Sequence, residues 1–421
     1  MTSWPIVTVA DIAARSKNAM ATGPFGSSIG SRFFRPFGVP IVRGSNLSTD
    51  PEIRFSDADL VFLDAEKAIE FSRSIAKQGD LIFSCWGTIN QVGLLDGTSA
   101  YREYVISNKQ MKLTPDRNIV LPEFLYYLFS GPEMQREILG GAVGTGVPGF
   151  NLTRLKSLQL RLPPMDEQRD IAAALSSGDR LVAGLVNLIS KKRKVKQGLM
   201  QELLTGRTRL HGFRGDWVEL RVANASHLKA RIGWQGLRTD EYRSSGEYRL
   251  VGGTDFRAGR VNWDSTPFVD KWRYDQDTNI QLQEGDILIT KDGTIGKVAL
   301  VENLPGPATL NSGVFVLRPK RNSYDPRFIF AMLRSQYFDK FVAGLSAGST
   351  INHLYQKDLV TLAFRVPSAR EEQEAIAQVL LDADDDIAAL ERRLASARAI
   401  KQGMMQELLT GRTRLTEGVA A

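Results

Sequence analysis

The side chains able to catalyse or to hold a metal are few and badly placed for either. The three histidines, His211, His227 and His353, are scattered and lack metal-ligand spacing. KDGTIGK at 291–297 has the glycines and lysine of a phosphate-binding loop. It lacks the four-residue spacer, and Val298 stands where the Ser or Thr would follow, so it reads as a hairpin tip. GAVGTG at 141–146 is not a dinucleotide fingerprint, because no helix-opening run follows it. No Asn/Asp-Pro-Pro-aromatic motif of amino methyltransferases occurs, and no helicase or nuclease signature. The single cysteine, Cys85, excludes an internal disulfide framework and suits a reducing cytosol. These residues point to a protein that binds rather than catalyses, with no metal and no cofactor of its own.

Charge indicates what could be bound. The 421 residues carry a formal +7 and a sequence pI of about 9.4, which permits a polyanionic partner. Apolar residues are 43% and charged residues 24%, ordinary for a globular chain with one large core or two to three smaller ones. No apolar run approaches the roughly 20 residues that span a bilayer. No secretory signal pattern opens the chain, so a cytoplasmic protein is expected.

The elements that must position any binding loop occur twice. KQGLMQELLTGRTRL at 196–210 returns as KQGMMQELLTGRTRL at 401–415, with only Leu199 against Met404 changed. That is a duplication, and it divides the chain into lobe, helix, lobe, helix. The boundaries expected are 1–160, 161–210, 211–365 and 366–421. Both lobes read as mixed α and β. A short strand at Trp4–Val9 has its counterpart in GDWVELRVA at 215–223. VPIVRGSNL at 39–47 matches GEYRLVGGTDF at 246–256 as a strand running into a polar turn. GDLIFSCWGTINQVGLL at 79–95 and GDILITKDGTIGKVALV at 285–301 each read as a hairpin with a polar tip. Residues 122–140 and 325–344 each read as an amphipathic helix with a proline in its first turn.

Each repeat ends in a long helix of about 39 residues, or about 58 Å. Ile171, Leu175, Gly178, Val182, Leu185, Ile189 and Lys192 step by 4 and 3, as do Ile376, Leu380, Ala383, Ile387, Leu390, Leu394 and Ala397. The seam then shifts to Val195 and Leu199 in one copy and to Ile400 and Met404 in the other. This is a heptad seam that needs a partner helix, and the other copy is the obvious one. Residues 161–210 carry ten basic and five acidic side chains; residues 366–421 carry seven and ten. Antiparallel pairing sets the basic run Lys191–Lys196 opposite about 381–386, where Asp382, Asp384, Asp385 and Asp386 stand. Parallel pairing would set it against Arg398 and Lys401, so antiparallel is expected. The tail at 411–415 should then dock on the first lobe near Trp4, as 206–210 leads into the second near Trp217.

The duplicated lobe and helix, GPFGS at 23–27, the two Gly-Asp hairpins, PPMDEQRDIA and REEQEAIA at the helix starts, and the QELLTGRTRL endings together define one pattern. It resembles the DNA-specificity subunit of type I restriction–modification enzymes over essentially the whole chain. The resemblance implies two globular target-recognition domains joined by two long antiparallel coiled-coil helices in a pseudo-twofold repeat. It implies that each lobe reads one half of a split site in double-stranded DNA. The helices would act as spacer and as docking surface for two methyltransferase subunits. Those subunits would bind S-adenosylmethionine and methylate adenine, and motor–nuclease subunits could join. The second lobe departs from the pattern, with ARIGWQGLR at 230–238 where the first has GPFGSSIGS.

Reading DNA needs cations for phosphates and forked polar groups for base edges, and the loops supply both. In the first lobe the candidates are Ser27, Ser28, Arg32, Arg35, Arg43, Ser45, Asn46, Trp86, Thr88, Asn90 and Gln91. In the second they are Arg231, Trp234, Gln235, Arg257, Lys291, Asp292, Thr294, Lys297 and Asn352. Two other readings stand beside this one: a self-sufficient DNA-modifying enzyme with unrecognised motifs, and a coiled-coil scaffold whose lobes bind protein.

Overall fold

The computed structural model describes residues 4–24, 26–140, 149–232, 236–345 and 353–415. Its contacts divide the chain into two units, 1–187 with 392–421, and 188–391. Each unit holds one lobe and parts of both long helices.

In the first unit, Ile6–Thr8 pairs antiparallel with Gln159–Arg161 and ties the start of the lobe to its end. One four-stranded sheet runs Met20–Thr22, Gln110–Leu113, Leu81–Ser84, Val92–Leu94; the other runs Val61–Leu63, Val39–Val42, Glu103–Ile106, Ile75–Lys77. LIFS and VGL are buried at every position, which is why they read as continuous apolar runs rather than alternating ones. Phe83 meets Phe129 edge to face at 4.8 Å and joins sheet to helix.

The second unit repeats this plan. Trp217–Arg221 pairs with Ala363–Pro367. The hairpin Ile287–Thr290 with Val298–Leu300 lies inside a six-stranded sheet, beside Val314–Pro319. In each lobe the amphipathic stretch is two helices instead of the single one expected: Pro122–Ser130 then Pro132–Gly140, and Pro326–Leu333 then Gln336–Leu345. In the first, Pro132 has no N–H to continue the ladder, so the chain restarts there.

The long helices are Met165–Leu203 and Arg370–Leu408, 39 residues each, and they pack antiparallel. In the second unit Lys192 meets Asp386 at 2.8 Å and Lys196 pairs with Asp384. In the first unit Lys401 pairs with Asp179, its stem packed on Gly178. The seam differs from expectation at one place in each copy. Val195 is 59% exposed and Ile400 64%, whereas Lys401 is 3% exposed and Lys196 is half-buried. From Ile189 the 3-4 spacing runs through 192, 196 and 199, so helix geometry puts the lysine on the seam despite the apolar type next to it. Burial lowers the Lys196 pKa even with the Asp384 carboxylate beside it.

Where each helix begins, two residues of the repeated Glu-Gln do different work. Gln168 is fully buried; its amide donates to Ile119 O and Pro163 O and its oxygen accepts from Leu121 N. Gln373 donates to Pro367 O and accepts from Asp325 N. Glu167 accepts from Trp4 Nε1 at 3.0 Å and pairs with Arg414; Glu372 accepts two bonds of 2.6 Å from Arg209. Gly411 (φ +71°) and Gly206 (φ +69°) take left-handed turns that lay the backbone on Trp4 and Trp217. The tail therefore docks on the first lobe as expected.

Candidate nucleic-acid interface

Both hairpins are built alike from root to tip. At the root, Asp80 accepts from Lys77 N and Asp286 from Gln283 N, and each buried carboxylate has a cation nearby, Lys112 at 3.6 Å and Arg318 at 2.7 Å. Burial raises the pKa of both acids. At the tip, Ser84 Oγ donates to Thr88 O and accepts from Gln91 N; Thr290 Oγ1 donates to Thr294 O at 2.5 Å and accepts from Lys297 N at 2.9 Å. Gly87 (φ +82°) and Gly293 (φ +67°) supply the turn that other residues rarely adopt. Trp86 pairs through its backbone with Gly149, and Asp292 likewise with His353.

A second turn is brought to each tip. In the first lobe Gln91 Nε2 donates to Gly44 O and Leu47 O at 3.1 and 3.0 Å. In the second, Gly253 lies against Thr290, where a Cβ would stand 2.5 Å from its Cγ2. A cleft of about 600 Å³ opens in the first lobe, lined by Arg43, Ser45, Trp86, Thr88 and Gln91 together. Trp86 is 56% exposed at its mouth.

The remaining candidates separate by partner. Arg35 pairs with Asp64 at 3.0 Å and Arg32 lies over the Phe33 ring, both exposed. Asn90 and Ser28 are half-buried, and Ser28 lies in the turn Gly26–Ile29. Arg257 donates to Thr254 O and Phe256 O and is exposed, like Thr294 and Lys297. The Lys291 ammonium lies 5.7 Å from the centre of the Phe315 ring. Two candidates are corrected. Asn46 is fully buried, its oxygen accepting from Arg43 N and its amide donating to Ser56 O and Ala58 O, so it builds the turn. Arg231 is 1% exposed and donates to Leu310 O, Gln276 and Thr309, so it holds strands together. In both, the polar group is consumed inside the fold. Trp234, Gln235 and Asn352 lie outside the described residues, as does the Ser27 side chain.

The turn at 107–110 also lines the cleft, with Asn108 and Lys109 exposed. Its signal was present: SNKQ is a polar break between the apolar strands EYVI and QMKL. Among the described residues no group of acids, histidines and cysteines could hold a metal, and no helix is long and apolar enough to cross a membrane.

Known proteins share this architecture. The protein assigned as the specificity subunit of the type I restriction enzyme MjaX of Methanocaldococcus jannaschii is 25% identical over 391 residues, covering 90% of this chain and 88% of its own. The crystal structure of the type I restriction–modification S subunit from M. genitalium superposes with a TM-score of 0.60 at 18% identity, over 98% of this chain and 97% of that one. A chain from the structural study of complex assembly and conformational transition of the type I R-M system gives a TM-score of 0.58 at 19% identity, over 98% and 99%. The family model for the type I restriction modification DNA specificity domain matches residues 64–191 and 235–397, more than half of the sequence. The chain belongs to the type I restriction–modification DNA specificity family.

Proposed function

We propose that this chain is the non-catalytic reading subunit of a type I methyltransferase complex, each lobe recognising one half of a split DNA site. One observation carries this reading. The two hairpin tips are held by the same internal bonds, yet the residues they carry differ: Trp86 against Asp292, Asn90 against Gly296, Gln91 against Lys297. One scaffold carrying two readout sets is what a two-part site requires. The cleft residues Arg43, Ser45, Trp86 and Lys109 face the first half-site, and Arg257, Lys291, Asp292 and Lys297 the second. The antiparallel helices dock two methyltransferase subunits, which bring S-adenosylmethionine, and the complex works in the cytoplasm. Exchanging residues 1–160 for the first lobe of another family member should change one half of the methylated site. A change in both halves, or in neither, refutes the reading. Methyl transfer by the chain alone would refute its non-catalytic role.

A further inference from the structure

Asp292 is out of place by charge. It stands between Lys291 and Lys297 at a tip assigned to a polyanion, where a carboxylate repels phosphate. The fold does not require it. Position 292 corresponds to Trp86, and both form the same backbone bridge to the segment that follows, to His353 and to Gly149. The bridge at Trp86 is made with a glycine, which offers no side chain to pair. The contact of Asp292 Oδ1 with His353 Nδ1, at 2.7 Å, is therefore an addition to the bridge. Oδ1 is buried beside the imidazole, and the carboxylate as a whole is about one-third exposed at the tip. A fixed carboxylate that must tolerate nearby phosphates finds its donors on a duplex among the exocyclic amines of the bases. In the major groove an acid accepts from cytosine N4.

We propose that Asp292 reads a cytosine in the second half-site, with His353 as a positioning residue that orients the carboxylate. This rests on the half-site reading above. The first lobe reads differently at the matching place, because the Trp86 indole offers an apolar face and one N–H donor and no acceptor.

The test uses the chain assembled with its methyltransferase subunits, expressed in a host lacking the system, with methylated adenines mapped across genomic DNA. Asp292→Ala should relax one cytosine position in the second half-site by about tenfold or more in discrimination. Asp292→Asn, close in shape, should move that position toward adenine, since an amide pairs with its N6 and N7 edge. His353→Gln should relax the same position less. An unchanged second half-site in either Asp292 variant overturns the inference. So does an altered first half-site, or loss of methylation everywhere by a complex that still assembles and melts as the parent does. If Asp292→Ala fails to assemble, Asp292→Asn decides alone. Exchange of residues 211–365 is the control: if it leaves the site unaltered, the half-site reading fails, and not this assignment.

Discussion

The junctions and the tips of the two repeats contrast. At the junctions Glu-Gln, Gly and Arg recur residue for residue, and each has an internal partner: Glu167 with Arg414, Glu372 with Arg209, the glutamines with buried backbone groups. At the tips the hydroxyl of Ser84 or Thr290 and the glycine are kept in kind, while what faces outward changes. Identity between the copies marks where the chain binds itself. The differing tip residues are those proposed to face the half-sites. The junctions are not wholly alike: Trp4 Nε1 donates to Glu167, whereas Trp217 Nε1 is buried with no partner.

This contrast can be broken at its strongest point first. Gln168→Ala strands three backbone groups and Gln373→Ala two. Each unpaired buried group costs about 1–3 kcal/mol when nothing replaces the bond, so Gln168→Ala should destabilise by about 3 kcal/mol or more and Gln373→Ala by less. Urea midpoints would measure both; negligible losses would show that the junctions do not hold the lobes.

A smaller effect follows from acid. The Arg414 hydrogen bond holds the Glu167 carboxyl below its ordinary 4.5. A carboxylate with a depressed folded pKa stabilises above its unfolded value and loses that contribution as pH falls through the folded one. Melting temperature should therefore drop below about pH 4.5, and Glu167→Gln should flatten that limb. Asp80 acts with the opposite sign: burial raises its pKa, so its contribution is present at low pH and lost as pH rises through the folded value. A variant curve superimposable on the parent would exclude Glu167 as the source.

The smallest effect is at the exposed helix pair. Lys192 and Asp386 are roughly half exposed, and a double-mutant cycle should give about 0.2–1 kcal/mol. A coupling of zero would leave orientation to the less exposed Lys196–Asp384 and Lys401–Asp179 pairs.

Much of the fold was legible because a duplication reads itself: the seams, hairpins and helix ends appear twice at one offset. The charge pattern gave helix orientation, since Lys192 and Lys196 reach the acids that only antiparallel pairing offers. The misreadings share a cause. Val195 and Ile400 look like seam residues by type, but the heptad frame falls on the next residue. Asn46 and Arg231 look like readers because their groups are polar, but hydrogen bonds to distant strands and turns decide that, and sequence does not show those. The turn at 107–110 is marked in the sequence by its polar break, but its place at the cleft is not, because the strands it joins belong to different sheets.

The repeated junction has a consequence for the gene. If the coding stretches are as alike as the fifteen residues they encode, identical but for Leu199 against Met404, crossing over between them would excise one lobe and one helix together. The shortened product would keep Trp4, Glu167 and the arginine ending. In the whole chain that arginine reaches Glu167 from the other helix. In the shortened one it could do so only from a second molecule, so an intramolecular lock would become the rule for assembling a pair.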